Sequence, residues 1–317
     1  MKILYLDPVV RSDTSQNYKY YDGIFDELCK DNQVALCREV PVDLKQYIKY
    51  TNFQPDVVIF GLGWFEHKYY KKINNITCPS FCILFKPQND LEQKLNFCKI
   101  NKVSKILTPV PAYKKYENLT DVRSELFPYG FDPSVFFDRK NPSRMFDIGF
   151  SGALHESKHY PPGAFPNENI RTKIGEILSN KDDIYAFWSS SDFQPARIPD
   201  YEEYSKKINN SKIWIATQAA FGDITPRYYE VAACGTLLFC QKIPEEYRKI
   251  FIDGYNCVEF EHDLSDFEEK MYFYIKNDEE REKITKNATE FFNNNFTWKH
   301  RSDILFETIQ EFINDNK

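Results

Sequence analysis

The sequence has no basic excess to offer a nucleic acid. Its 41 lysines and arginines are outnumbered by 47 aspartates and glutamates, for a net charge of -6 and a pI near 5.6. The lysines are scattered among acids rather than pooled, so no field is built to hold a phosphodiester backbone. Long hydrophobic runs are lacking too. The longest near-continuous apolar stretch, VVIFGLGWF, is about half of what a membrane-spanning helix needs. The first residues, MKILYLDPVV, carry one lysine and a short β-like run, without the longer apolar stretch and small-residue cleavage site of a signal peptide. The expectation is a soluble, cytoplasmic protein whose contact with a membrane, if any, is peripheral. Cysteines are present but unpaired in pattern: of the eight, only Cys78 and Cys82 are closely spaced, and no second pair completes a metal-ligand set. They read as small core residues of a reducing compartment. Five N-x-S/T sequons arise as chance matches in an asparagine-rich chain.

What is present is alternation. With 317 residues, 42% hydrophobic and 16% aromatic, the chain can bury one large core or two domains of about 150 residues each. Short β-rich runs alternate with longer amphipathic stretches in both halves, the pattern of parallel sheets covered by helices. In the first half the strand runs are KILYLD (2–7), QVALC (33–37), DVVIFG (56–61), SFCILF (80–85) and KILTP (105–109), with DLEQKLNFCKIN (90–101) the clearest helix. A proline- and charge-rich segment, LFPYGFDPSVFFDRKNPSRM (126–145), reads as a linker. A second series follows: DIGFSG (147–152), DIYAFW (183–188), KIWIAT (212–217), TLLFC (236–240) and CVEFE (257–261), then helix from about 263 onward. The expected layout is an N-terminal Rossmann-like domain over 1–135, a second over 136–296, and a C-terminal helix, 297–317, crossing back to the first.

In open α/β sheets ligands bind at the carboxyl ends of the strands, where helix N-termini present free N–H groups and a positive dipole end. DITPRYYEVAACGTLLF (223–239) sits at such a place. Thr225 reads as an N-cap, Pro226 fits the first helical position, and Gly235 stops the helix before the next strand. Arg227 and Glu230, three apart, share a face near the positive end. An arginine can clamp a diphosphate, and a carboxylate can accept two hydrogen bonds from a ribose diol. From spacing alone, an ordinary ion pair on one helix is the commoner reading. Other candidates gather at neighbouring strand ends. Gly152 permits close approach of a phosphate to backbone. His155 lies in the following loop, and Arg171 sits on the next helix. Phe187 and Trp188 offer stacking for a base, although core packing is the commoner role of both.

At these residues the chain resembles a family. T-x-R-x-Y-E-x-x-A-C-G at 225–235 is followed in order by D-G-x-N at 253–256 and by D-L opening a helix. An E-x-x-x-I-x-x-N-A helix and a terminal F-T-W-x-x-R complete the series. This succession resembles the C-terminal signature of GT-B glycosyltransferases, in particular the group 1, spore maturation protein CgeB-like branch. FPYGFDPSVF is similar to the hinge and FDIGFSGAL to the first donor-domain strand of these enzymes. The likeness spans roughly 105–303. It implies two Rossmann-like domains facing across a cleft, with C-terminal helices packing back across the hinge. It also implies transfer of a sugar from a UDP- or GDP-linked donor to a glycan or other hydroxyl acceptor. By the same resemblance Glu230 meets the ribose, Arg227 the donor phosphates, and Asp223, Thr225 and Tyr229 belong to the donor site. No metal or other cofactor is implied, in keeping with the lack of a D-x-D motif at a strand end. One departure stands out. Many group 1 retaining enzymes carry a second glutamate eight residues before the one matched by Glu230; here that position is Gly222, with Asp223 next to it. Retention is therefore only mildly favoured.

The acceptor is expected at the carboxyl-end loops of the first half. An inverting enzyme needs a general base there, and Asp13, Glu66, His67 and Asp90 are the candidates. Each alone is more readily a solvated loop charge or helix cap than a base, Asp90 especially the cap of the helix starting at Leu91. Lys86 is a candidate anion contact, and Trp64, Phe65, Tyr69 and Tyr70 form either a sugar-stacking wall or core. Two alternatives stay open: a nucleotide-sugar epimerase or phosphorylase on the same fold, and a non-catalytic binding protein.

Overall fold

The computed structural model describes residues 1–7, 19–38, 41–61, 71–85, 87, 90–152, 170–189 and 200–316. Two compact units emerge: Met1–Pro128 together with Trp298–Lys317, and Tyr129–Thr297.

The first unit holds a six-stranded parallel sheet. Its strands are β1 (Lys2–Leu6), β2 (Gln33–Cys37), β3 (Val57–Gly61), β4 (Ser80–Ile83), β5 (Lys105–Thr108) and β6 (Ser124–Leu126), in the order β2-β1-β3-β4-β5-β6. β3 and β4 are buried along their whole length and β2, at the edge, is not. That is why the central runs are continuously apolar rather than alternating. The helices are α1 (Lys19–Asp31), α2 (Leu44–Thr51), α3 (Leu91–Ile100), α4 (Lys114–Thr120) and α10 (Trp298–Asp315). Local chemistry sets their ends: the Asp43 carboxylate accepts the Gln46 N–H at 3.0 Å to open α2, and Asn52 closes it at φ 55°. The last helix of the chain thus belongs to the first unit. Gly23 of α1 lets Trp298 approach, since a Cβ there would lie 2.1 Å from the indole.

The second unit holds a five-stranded parallel sheet of β7 (Phe146–Ser151), β8 (Ala186–Ser189), β9 (Ser211–Ala216), β10 (Leu237–Gln241) and β11 (Val258–Phe260), ordered β11-β10-β9-β7-β8. Its helices are α5 (Ile170–Ser179), α6 (Tyr201–Asn209), α7 (Pro226–Ala233), α8 (Phe267–Lys276) and α9 (Asp278–Asn295). Alternate strand residues divide between the faces. Ile148, Phe150, Ile213, Ile215, Phe239 and Phe260 form one core with Ile174 of α5 and Phe267 and Met271 of α8. Trp214 points to the opposite face, over Gly149, where a Cβ would sit 2.3 Å from its ring, and meets Tyr204 of α6 edge-on.

All ten strand runs read from the sequence are strands. β6 is an eleventh, found where the linker segment begins. Three residues at a sheet edge leave too short a period to read. β8 also begins later than DIYAFW suggests, at Ala186.

Candidate functional site

α7 is short, and everything on it from Tyr228 to Ala233 is buried together with Pro226; Arg227 alone is partly open. Thr225 holds the N-cap position with extended backbone and Pro226 follows, but the threonine hydroxyl makes no capping bond, and among the described residues its buried Oγ1 has no partner. Proline fixes the helix entry through its φ, so the helix starts without a side-chain cap. Past Cys234, Gly235 turns at φ 65°, and a Cβ there would lie 2.5 Å from the Asp138 carboxyl carbon. Both conformation and space demand glycine.

The loop before α7 is tight. Phe221 and Gly222 both have positive φ, 60° and 75°, and Ala219 N–H donates to the Asp223 carbonyl at 2.9 Å. Gly222 is therefore a left-handed turn position. A glutamate there would be strained. Asp223 is 3% exposed, and Tyr129 Oη donates to its Oδ2 at 3.3 Å.

Two arginines converge on the end of β7. A Cβ built on Gly152, whose φ is 133°, would lie 3.5 Å from Arg227 Nη2 and 3.6 Å from Arg171 Nη1. Arg171, in the first turn of α5, donates from Nε to Thr217 Oγ1 at 2.6 Å and from Nη2 to the Gln218 carbonyl at 3.3 Å. Arg227 Nε donates to Tyr204 Oη at 3.3 Å, and Ser151 Oγ donates to the same oxygen at 3.3 Å. The ends of β7 and β9 and the starts of α5 and α7 thus bring two guanidinium groups beside one glycine backbone. This is the chemistry of an anion site.

Glu230 completes the cluster. It is 3% exposed, and among the described residues its carboxyl accepts no hydrogen bond. Burial pushes its pKa up to about 8, against the pull of Arg227. A buried carboxyl without hydrogen bonds is costly in a folded protein, and such groups concentrate at sites where a ligand completes them.

The remaining expectations distribute as follows. The Tyr229 ring is packed among Phe251, Phe292 and Phe296, with centroids 5.2 to 5.8 Å away. Trp188 is half-buried against Phe150, and Phe187 lies between Phe146 and Trp214. Asp90 precedes α3 at φ 57°, and its carboxylate makes no capping bond to the helix; its charge instead acts on Lys94. Asp13, Glu66, His67 and His155 lie outside the described residues, as do Trp64, Phe65, Tyr69, Tyr70 and Lys86.

Sequence reasoning passed over Tyr204, Thr217, Gln218 and Tyr129. Thr217 was visible as the polar residue ending KIWIAT. Nothing in YEEYSKK marks Tyr204. It also passed over Lys94, fully buried on α3, where burial brings the ammonium down to about 8 while nearby Cys82, Asp90 and Cys98 push the other way.

Comparison with known proteins adds the fold. Over 99% of both chains the structure is similar to sucrose-phosphate synthase from Thermosynechococcus elongatus, with a TM-score of 0.64 at 10% identity. HepE from Anabaena, solved with UDP and glucose, matches over 98% of this chain and 99% of that one, with a TM-score of 0.63 at 12% identity. A glycosyltransferase from Rickettsia africae matches over 98% of each chain, with a TM-score of 0.59 at 14% identity. The fold is GT-B. Residues 171–307 match the family model described as glycosyl transferase-like. That stretch begins at Arg171 and contains Asp223, Arg227 and Glu230. No curated protein matches the sequence. Among the described residues no helix is long and apolar enough to cross a membrane.

Proposed function

We propose that the protein is a glycosyltransferase that takes its sugar from a nucleoside-diphosphate sugar, bound at the carboxyl edge of the second sheet. The observation that carries this is Glu230: a buried carboxyl, accepting no hydrogen bond among the described residues, one helical turn from Arg227, whose guanidinium lies beside Gly152. A ribose diol supplies the two donors that the carboxylate lacks, and Arg227 with Arg171 meets the diphosphate over Gly152. The match of 171–307 to a glycosyl transferase-like family and the UDP in HepE support this reading.

In the reaction the bond from the anomeric carbon to the diphosphate breaks, and charge develops on the leaving oxygen. The two guanidinium groups and the N-terminal end of α7 are already directed there, so little reorganisation is needed as that charge appears. A uridine or guanine nucleotide, a hydroxyl acceptor, a metal-independent course and a leaning to retention complete the proposal.

Titration calorimetry against UDP-, GDP-, ADP- and CMP-sugars tests it. One nucleotide should bind, with affinity falling about 100-fold in Glu230→Ala, as expected for losing hydrogen bonds to a charged group. Release of nucleoside diphosphate in the presence of sugar acceptors then establishes turnover. Absence of any nucleotide binding, or affinity untouched by Glu230→Ala, would overturn the proposal; binding without release would leave a binding protein.

A further inference from the structure

We propose that Tyr204 is a positioning residue of the anion site: its hydroxyl fixes the Arg227 guanidinium over Gly152, and it does so without cancelling the arginine's charge. The inference rests on the donor-site reading above and assigns a role to a residue outside the α7 motif.

The hydroxyl is a junction. It accepts from Arg227 Nε at 3.3 Å and from Ser151 Oγ at 3.3 Å. Ser151 is the last residue of β7 and stands next to Gly152, so one oxygen links the strand end that faces the ligand to the helix that carries the arginine. With Nε bonded to Tyr204, the Nη edge of Arg227 faces Gly152: Nη2 lies 3.5 Å and Nη1 3.7 Å from the Gly152 Cβ position.

The tyrosine itself is held firmly. Its backbone N–H donates to the Asp200 carbonyl at 3.0 Å, and the Asp200 carboxylate caps α6 by accepting Glu203 N–H at 2.7 Å. The ring, 6% exposed, meets Trp214 at 5.7 Å and Phe136 at 5.9 Å, both edge-on. Burial pushes its hydroxyl up to about 12 while Arg227 pulls the other way, so the group stays neutral at physiological pH. A carboxylate in that place would orient the guanidinium but offset its charge. A neutral oxygen orients it and adds no negative charge beside it.

Tyr204→Phe keeps the ring and its contacts and removes only the oxygen. Calorimetry with UDP and uridine, or GDP and guanosine where the wild type selects guanine, reads the effect on the phosphates separately from that on the nucleoside. Affinity for the diphosphate is expected to fall about threefold to tenfold, and affinity for the nucleoside to stay within twofold. The diphosphate loss should vanish when the change is repeated in an Arg227→Ala background, because the oxygen acts through that side chain. Unchanged diphosphate affinity, an equal loss for the nucleoside, or a loss that persists without Arg227 would each overturn the role. A nucleotide-independent readout accompanies it: the Arg227 Nε–H resonance in 15N NMR should exchange faster with water in Tyr204→Phe. Unaltered exchange overturns the positioning role even if no nucleotide binds. Faster exchange in a protein that binds no nucleotide would uphold the tether and defeat the donor-site reading.

Discussion

The two edges of the second sheet treat their buried charges in opposite ways. At the amino edge, Arg144 donates to the carbonyls of Asn209, Ser211 and Gly235 and to Thr236 Oγ1, at 2.6 to 3.0 Å. Lys212 pairs with Asp147 at 2.7 Å, and Arg281 with Asp278 and the Tyr274 carbonyl. Arg144, Lys212, Asp278 and Arg281 line a groove of about 710 Å³, and each of these four is paired. At the carboxyl edge Glu230 is buried with no hydrogen bond. Satisfied polar groups hold a sheet together, whereas a buried carboxyl without hydrogen bonds is a cost that a ligand can remove.

Substitutions at the two edges should therefore separate stability from binding. The largest effect is expected for Arg144→Ala, which leaves three carbonyls and a hydroxyl without their donor. It should cost about 3 kcal/mol, or roughly 6–12 °C in Tm by calorimetry, while nucleotide affinity of the folded fraction stays within twofold. A large loss of affinity at unchanged Tm would erase the contrast.

Glu230→Gln should do the reverse, weakening nucleotide binding but raising stability. The folded pKa of about 8 lies above the unfolded carboxyl value of 4.5. The folded state thus holds a proton that the unfolded state has lost, and the wild type loses stability as pH rises from about 4.5 to about 8. The variant has no such term. Its Tm advantage should be absent near pH 4, grow to about 2–6 °C at pH 8, and level off above that. A Glu230→Gln protein melting below the wild type at pH 8 would contradict the assignment.

Gly152→Ala is the mildest. Its φ of 133° strains any Cβ, although the neighbouring guanidinium groups stand 3.5 Å or more away. The expected cost is about 1 kcal/mol in stability, with a several-fold loss of diphosphate affinity and little change for the nucleoside. Equal losses for both ligands would place the phosphate elsewhere.

Much of this was legible in the sequence. Ten strands could be read because buried parallel strands are written as short apolar runs. α7 could be bounded because Pro226 and Gly235 carry conformational meaning that no neighbour overrides. Other features were not legible. Lys94 lies on the face of α3 that Leu95, Phe97 and Cys98 bury, and a lysine there carries no signal of burial. Thr225 reads as a capping residue, but among the described residues its hydroxyl has no partner, since cap identity fixes position and not side-chain geometry. Gly222 reads as a missing glutamate; its φ of 75° puts it in the left-handed region, where a glutamate would be strained.

The sequence by itself determined the α/β class, the alternation of strands and helices, and the presence of Arg227 and Glu230 on one helix face, because periodicity and helix-end chemistry act over a few residues. What surrounds that pair is set by tertiary structure. Folding brings Gly152, Arg171 and Tyr204 from 23 to 75 residues away in the chain to the same strand ends, and burial leaves Glu230 without a hydrogen bond. Those are effects of distance and dielectric, which no local pattern of residues encodes.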